Sequence, residues 1–251
     1  TWSKNHINSI GCLGDIKKID PMKIKKLLKQ KNVEKIHLIT AGVPCQGFSL
    51  ANRKRTDNDE RNFLFLEFIK FVKSFSPDYI ILENVSGIKS SGSGFFVKNI
   101  ILELEKLDYN VSVKTVNAAD FGVPQTRNRI LFVGVKKKVG LLEPYLFPAG
   151  KYENNHRTVY DAISDLPVLE NNEVKYTYDM DPLTEYQKLM RGFGNMEKIS
   201  KPTILKNHRS PNHPKDTIEK IKNTRPGEPM YDRFKQRIRL KSDKPSPTQL
   251  A

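Results

Sequence analysis

The stretch His37-Leu38-Ile39-Thr40-Ala41-Gly42-Val43-Pro44-Cys45-Gln46-Gly47-Phe48-Ser49 decides how the rest of the chain is read. Its opening residues belong to an apolar run, 35–40, that reads as a buried strand, and Gly42 and Pro44 stand where such a strand must stop and turn. A thiol, Cys45, is thereby presented just past a strand's carboxyl end. In open parallel α/β sheets ligands bind in the crevice beyond those ends, which places Cys45 over an active site. The competing reading is a small buried hydrophobe beside a loop, the usual fate of a lone free cysteine.

Working outward, the neighbouring elements keep the strand and helix alternation. Upstream, Asp20-Pro21 supplies a helix cap followed by proline at the first helical position, and 22–31 continues as helix. Cys12, in the apolar run 10–13, reads as a packing residue. Downstream, the charged loop 50–60 suits a mobile lid, and 61–75 forms a helix apolar on more than one side. A second apolar run, 78–82, ends in Glu83-Asn84-Val85, which sets a carboxylate at the neighbouring strand end. The amphipathic helix 95–107 provides the crossover that makes the sheet parallel. Residues 109–116 alternate as an outer strand, and Gln125-Thr126-Arg127-Asn128-Arg129 leads into the strand 130–135. Arg127 and Arg129 stand at alternate positions of an extended segment, so both can aim at one site. After Lys136-Lys137-Lys138 the alternation stops, and Pro144, Pro148 and Gly150 mark a boundary. Beyond it the chain is loop-rich, with short helices at 158–164, 182–191 and 214–223.

Composition narrows the function class. The 251 residues carry a net charge of +15 with 37% hydrophobic residues, a mean hydropathy of −0.55 and a pI near 9.6. No apolar run is long enough to span a bilayer, and no segment reads as a signal peptide, so a cytoplasmic protein is expected. Two cysteines make no disulfide framework, and no Cys/His spacing suits zinc. None of the five histidines stands in a spacing that compels a catalytic role. The lysines of 17–31 surround a short amphipathic helix and read as its solvated face. Residues 186–251 differ, with 16 Lys and Arg against 6 Asp and Glu, an excess that points to a polyanionic partner.

Taken in order, Gly14-Asp15-Ile16, Pro44-Cys45-Gln46 with Phe48-Ser49, Glu83-Asn84-Val85, Gln125 to Arg129, and Arg239-Leu240 with Asp243, Pro245, Ser246 and Thr248 resemble the DNA (cytosine-5)-methyltransferase family of the bacterial restriction-modification type. The resemblance covers the chain almost end to end. It implies a Rossmann-like, S-adenosylmethionine-dependent methyltransferase α/β sheet with a smaller, loop-rich target-recognition domain. The division it implies is a catalytic domain at 1–150, a target-recognition region at 151–238, and a segment at 239–251 that begins the return to the catalytic domain.

The same resemblance assigns roles. Cys45 would attack carbon 6 of a flipped cytosine, Glu83 would donate to ring nitrogen 3, Arg129 would hold carbonyl oxygen 2, and Arg127 would support the site or contact phosphate. S-adenosylmethionine would lie against Asp15, Ile16, Pro44 and Leu64, with no metal involved. Double-stranded DNA would meet Gln46, Ser49, Arg225, Arg233, Lys235, Arg237, Arg239 and Thr248, and the protein would be a monomer. The family's glycine-rich opening segment and closing Gly-Asn segment are not matched, which leads us to expect a fragment that is inactive alone. Three alternatives stay open: a transfer RNA methyltransferase of the same family, a non-catalytic DNA-binding protein on this scaffold, and a cysteine hydrolase, for which no histidine base stands near Cys45.

Overall fold

The computed structural model describes residues 6, 9, 11–43, 64–139, 144–192, 204–235 and 237–248. Pro44, Cys45, Gln46, Ser49, the 50–60 lid and the start of the 61–75 helix lie outside the described residues. Packing divides the chain into two compact units, Thr1–Val116 with Arg129–Pro148, and Asn117–Asn128 with Ala149–Ala251.

In the first unit, helix α1 (Pro21–Gln30) opens where Asp20 Oδ1 accepts the Met22 N–H. Its lysines at 23, 25, 26 and 29 are exposed, the solvated face expected of them. Strand β1 (Leu38–Gly42) follows, then α2 (Phe65–Phe75), β2 (Tyr79–Val85), α3 (Phe95–Glu105), β3 (Tyr109–Asn117) and β4 (Asn128–Lys136). Helix α2 stops at Ser76, whose left-handed backbone (φ 45°) lets its N–H close on Val72 O before Pro77 turns the chain into β2.

The sheet order is β1-β2-β4-β3, so β3 is the outer strand expected from its alternation. β1 and β2 are parallel, but β2 and β4 run antiparallel, and the sheet is mixed and not wholly parallel. The expectation of parallel strands failed at β4 because no crossover helix precedes it. The short link 118–127, with one 3-10 turn at Ala118–Phe121, separates β3 from β4 instead, and parallel neighbours need a crossover of a dozen residues or more.

The core gathers Phe65, Phe68, Ile69 and Val72 of α2, Ile80 and Leu82 of β2, Phe96, Ile100 and Leu104 of α3, Tyr109 of β3, and Ile130 and Phe132 of β4. Each fully buried side chain of this kind contributes about 1.5–3 kcal/mol relative to exposure. Gly134 faces Ile80 across the ladder, and a Cβ there would stand 2.5 Å from Ile80 Cγ1, so this position must stay bare. At the amino ends of the parallel strands, buried Asp78 takes Lys35 Nζ at 2.6 Å and His37 Nδ1 at 2.7 Å. Those two hydrogen bonds, Lys35 first, hold the Asp78 carboxyl below its ordinary range. Cys12 departs from the packing role read for it: it is exposed, and Leu13 beside it is fully exposed, because 11–14 form neither strand nor helix for a core to cover.

The second unit is held by loops and short helices α4 (Val159–Ile163), α5 (Glu185–Met190) and α6 (Lys215–Asn223). Thr158 and Thr184 each form a reciprocal capping box, with Asp161 and Gln187. Gln187 is buried and also donates to Tyr160 O and Ser164 Oγ, which ties α5 to α4. A buried ion pair joins Arg191 to Asp165 at 2.6 Å, with Tyr178 lying 3.5 Å from the guanidinium. Residues 242–248 are stitched back by backbone bonds: Thr126 N–H to Ser246 O, Ser246 N–H to Pro124 O, Val159 N–H to Lys244 O and Tyr160 N–H to Ser242 O.

Candidate active site

Strand register brings the first two groups together. Glu83 stands opposite Gly42 in the parallel pair and opposite Leu131 in the antiparallel pair, while Arg129 stands opposite Val85. Side chains two residues apart on a strand share a face, so Glu83 and Arg129 are diagonal neighbours on one face of the sheet. Arg129 Nε donates to Glu83 Oε1 at 2.6 Å, with the two side chains 19% and 40% exposed. The pair is thus oriented by backbone pairing on both strands and still open to solvent.

Two further residues, Asn84 and Gly42, shape this strand end, and sequence reading assigned neither of them a role beside Glu83. Asn84 is buried, and its Oδ1 accepts the Val85 N–H at 2.8 Å, fixing the backbone on the side of β2 away from Glu83. Gly42 has no side chain beside the carboxylate. A Cβ built there would stand 3.4 Å from Glu83 Oε2, in van der Waals contact with the carboxylate. The strand also runs farther than its apolar pattern showed, to Val85, which puts Glu83 on the ladder and not in a following turn.

Asp15, Ile16 and Leu64 line one cleft of about 590 Å³ with Ile39, Ala41 and Phe68. Its walls are mostly aliphatic and aromatic, and its volume is ordinary for a small-molecule site. Asp15 Oδ1 accepts the Lys17 N–H at 3.0 Å and starts the 3-10 turn Ile16–Lys18. A carboxylate has two oxygens and about four acceptor positions, so one bond within the turn leaves room for an amino group. Apolar walls with a carboxylate at the rim fit the adenosine part of S-adenosylmethionine.

Arg127 belongs to the second unit, where its N–H donates to Asn117 Oδ1 and its carbonyl accepts the Ala118 N–H. Arg225, Arg233, Lys235, Arg237 and Arg239 are all exposed in that unit. The Arg239 guanidinium has an internal task that the sequence did not signal: Nη1 donates to Ile221, Lys222 and Thr224 carbonyls at the end of α6. Thr248 Oγ1 donates to Thr126 O at 2.9 Å. Among the described residues no group of His, Cys, Asp and Glu could hold a metal ion, and no helix is long and apolar enough to cross a membrane.

A mixed α/β sheet with an acid and an arginine at one strand end, and an apolar cleft along β1 and α2, is compatible with a Rossmann-like methyltransferase fold. Comparison with known proteins gives the family. The chain belongs to the C-5 cytosine-specific DNA methylases, whose sequence profile matches residues 1–248. It is 37% identical over 227 residues to the type II methyltransferase M.DdeI of Desulfomicrobium norvegicum, covering 88% of this chain and 51% of that protein. It is 33% identical over 214 residues to the type II methyltransferase M.AgeI of Thalassovita gelatinovora, covering 76% and 49%. The chain thus spans about half the length of these curated relatives. A crystal structure described as a DNA modification methyltransferase encoded within an Escherichia coli prophage superposes with a TM-score of 0.72 at 24% identity, covering 98% of this chain and 71% of that one. That likeness establishes the fold.

Proposed function

We propose that the protein transfers a methyl group from S-adenosylmethionine to carbon 5 of a cytosine in double-stranded DNA, as part of a type II restriction-modification system. The observation that carries this reading is the Glu83–Arg129 pair at the end of β2, in register with the end of β1. Cys45 follows Gly42 by three residues in sequence, and we assign it the role of nucleophile.

Carbon 5 of cytosine is too weak a nucleophile to attack a sulfonium methyl unaided. The Cys45 thiolate adds to carbon 6, forming a carbon–sulfur bond and pushing electron density toward nitrogen 3 and carbon 5. Glu83 supplies the hydrogen bond or proton at nitrogen 3, and Arg129, which orients Glu83 through Nε, faces the charge developing on oxygen 2. S-adenosylmethionine supplies the electrophilic methyl group that carbon 5 then takes. The donor leaves as its neutral thioether; loss of the carbon 5 proton to solvent, return of the nitrogen 3 proton to Glu83 and departure of the thiolate then restore the aromatic ring and leave the cysteine unchanged. Arg127 we assign to support of this site or to phosphate.

Asp15, Ile16, Pro44 and Leu64 would hold the donor's adenosine. These groups cannot reach a base stacked in a duplex, so the cytosine must be rotated out of the helix, with Gln46 and Ser49 against its backbone. Residues 1–150 would carry catalysis and 151–238 target recognition, with Arg225, Arg233, Lys235 and Arg237 on the DNA. We place Arg239 and Thr248 at the base of that surface, holding the 239–251 segment as well as meeting phosphate. The test uses the full-length protein with labelled donor, on mixed-sequence DNA and on transfer RNA, and a duplex bearing 5-fluorocytosine. A covalent DNA adduct should form and should vanish in Cys45→Ala. An adduct that persists in that variant removes Cys45 from the mechanism, and methyl transfer to transfer RNA alone replaces the substrate.

A further inference from the structure

The segment from Gly227 to Lys241 doubles back on itself as a short arm. Gly227 N–H donates to Arg239 O, Arg239 N–H to Glu228 O, and Met230 N–H to Arg237 O, while Pro229 opposes Ile238 as an antiparallel bridge. Two tight bonds turn the tip, Phe234 N–H to Tyr231 O and Arg237 N–H to Phe234 O. The arm's base is fixed twice. Gly227 has a φ of +90°, a left-handed backbone conformation that strains any residue with a side chain. The Arg239 guanidinium, on three carbonyls at the end of α6, anchors the returning side to that helix.

What this arm presents is an aromatic ring set among cations. Phe234 is 51% exposed at the tip and meets Tyr231 edge-on, with centroids 6.5 Å apart at 85°. The Arg237 guanidinium lies 5.4 Å from the Phe234 ring and 5.8 Å from Tyr231, and Lys220 Nζ lies 4.5 Å from Tyr231. Arg233 and Lys235, which flank Phe234 in sequence, are exposed, and Asp232 is the single acid in 231–239. Exposed apolar side chains are common among the described residues, and what distinguishes Phe234 is its setting beside Arg237 and between Arg233 and Lys235 in sequence. Cations flanking an outward aromatic match a polyanion with flat faces: phosphates pair with the charges, and a base stacks on the ring.

We propose that this arm opens and reads the duplex, with Phe234 stacking on a base exposed beside the displaced target while Arg233, Lys235 and Arg237 hold the flanking phosphates. The inference rests on the DNA methyltransferase reading and adds to it a stacking contact, distinct from charge and from the catalytic groups. Rotating a base out of a duplex leaves an unstacked step, and an apolar side chain inserted there stabilises the opened state.

Anisotropy titrations of the full-length protein against two duplexes of one sequence, fully paired and carrying a three-nucleotide unpaired bubble, test it. Phe234→Leu keeps the apolar bulk and removes the π face. It should bind the bubble about 5- to 100-fold more weakly than the unaltered protein, with an unchanged salt slope and little change on the paired duplex. Phe234→Trp should match or exceed the unaltered protein on the bubble, which separates stacking from a folding defect. Equal affinity of Phe234→Leu and the unaltered protein for the bubble would overturn the stacking role and leave the methyltransferase reading standing. Failure of the unaltered protein to bind either duplex would overturn both.

Discussion

At the residue scale the candidate chemistry turns on one contact, Arg129 Nε to Glu83 Oε1 at 2.6 Å. Glu83→Gln keeps the shape and can still donate an amide hydrogen bond to ring nitrogen 3, but it cannot transfer a proton there. Methyl transfer by the full-length enzyme should fall by about 10²- to 10⁴-fold, with DNA affinity changed only a few-fold. Retention of full activity would mean that no proton passes from Glu83 to nitrogen 3, and full activity in Glu83→Ala as well would take Glu83 out of the reaction. A second residue tests the scaffold. Tyr109 is fully buried, its hydroxyl donates to Pro77 O at 2.5 Å, and burial, aided by the Asp78 charge, pushes its pKa up to about 12. In the unfolded chain it ionises near 10. The folded form therefore holds the proton more tightly, and its stabilising contribution is complete below pH 10 and is lost as pH rises toward 12. Tyr109→Phe should cost about 1–3 kcal/mol at neutral pH by orphaning the Pro77 carbonyl. It should also lose less stability than the parent between pH 10 and 12, measured by denaturant unfolding at each pH; parallel pH profiles for the two proteins would rule out the assignment.

At the scale of elements, the sequence was most legible where a local rule had one answer. Asp20-Pro21 opened α1 as a cap followed by proline should, and Thr158 and Thr184 start the short helices 158–164 and 182–191 with capping boxes, although the second begins only at Glu185. Legibility failed where the answer lay in a partner strand. Residues 130–135 read as a strand, but nothing in them shows that β4 runs antiparallel to β2; that follows from a link too short to cross over. The apolar run 78–82 stopped short of Asn84, yet the Asn84 side chain satisfies the Val85 N–H and lets a polar residue stay in the ladder. The Glu83–Arg129 contact is of the same kind: Arg127 and Arg129 were indistinguishable by spacing, and only the β2–β4 register singles out the second. Arg239 was legible as a charge but not as a brace. Its guanidinium caps α6 from 15 to 18 residues away in sequence. Arg239→Met should therefore lower unfolding stability by about 1 kcal/mol through loss of the cation at a helix carboxyl end, with Arg239→Lys recovering part of it. Unaltered denaturation midpoints in Arg239→Met would mean the three carbonyls are as well served by water.

At the scale of the whole molecule, a charge of +15 does not by itself say where a polyanion binds, because solvated lysines and phosphate-binding ones look alike in composition. The structure separates two groups of cations. Lys23, Lys26 and Lys29 lie exposed along the ten-residue helix α1, with Ile24, Leu27 and Leu28 turned partly inward, which is how an amphipathic helix dissolves itself. Arg225, Arg233, Lys235 and Arg237 lie exposed on loops and on an arm whose backbone is pinned at both sides, and a pinned cation loses less freedom when it meets a phosphate. Each phosphate neutralised releases counterions and adds about 0.9 to the slope of log affinity against log salt. Replacing Arg225, Arg233, Lys235 and Arg237 together by Gln should therefore flatten that slope by about one unit for each phosphate that the variant no longer neutralises. Replacing Lys23, Lys26 and Lys29 by Gln should leave it unchanged. Both measurements use mixed-sequence duplex titrated between low and moderate salt, where non-specific binding is almost wholly electrostatic. Equal flattening by the two sets would mean that DNA senses only net charge, and the basic surface would then have to be redrawn over the whole molecule and not at the arm.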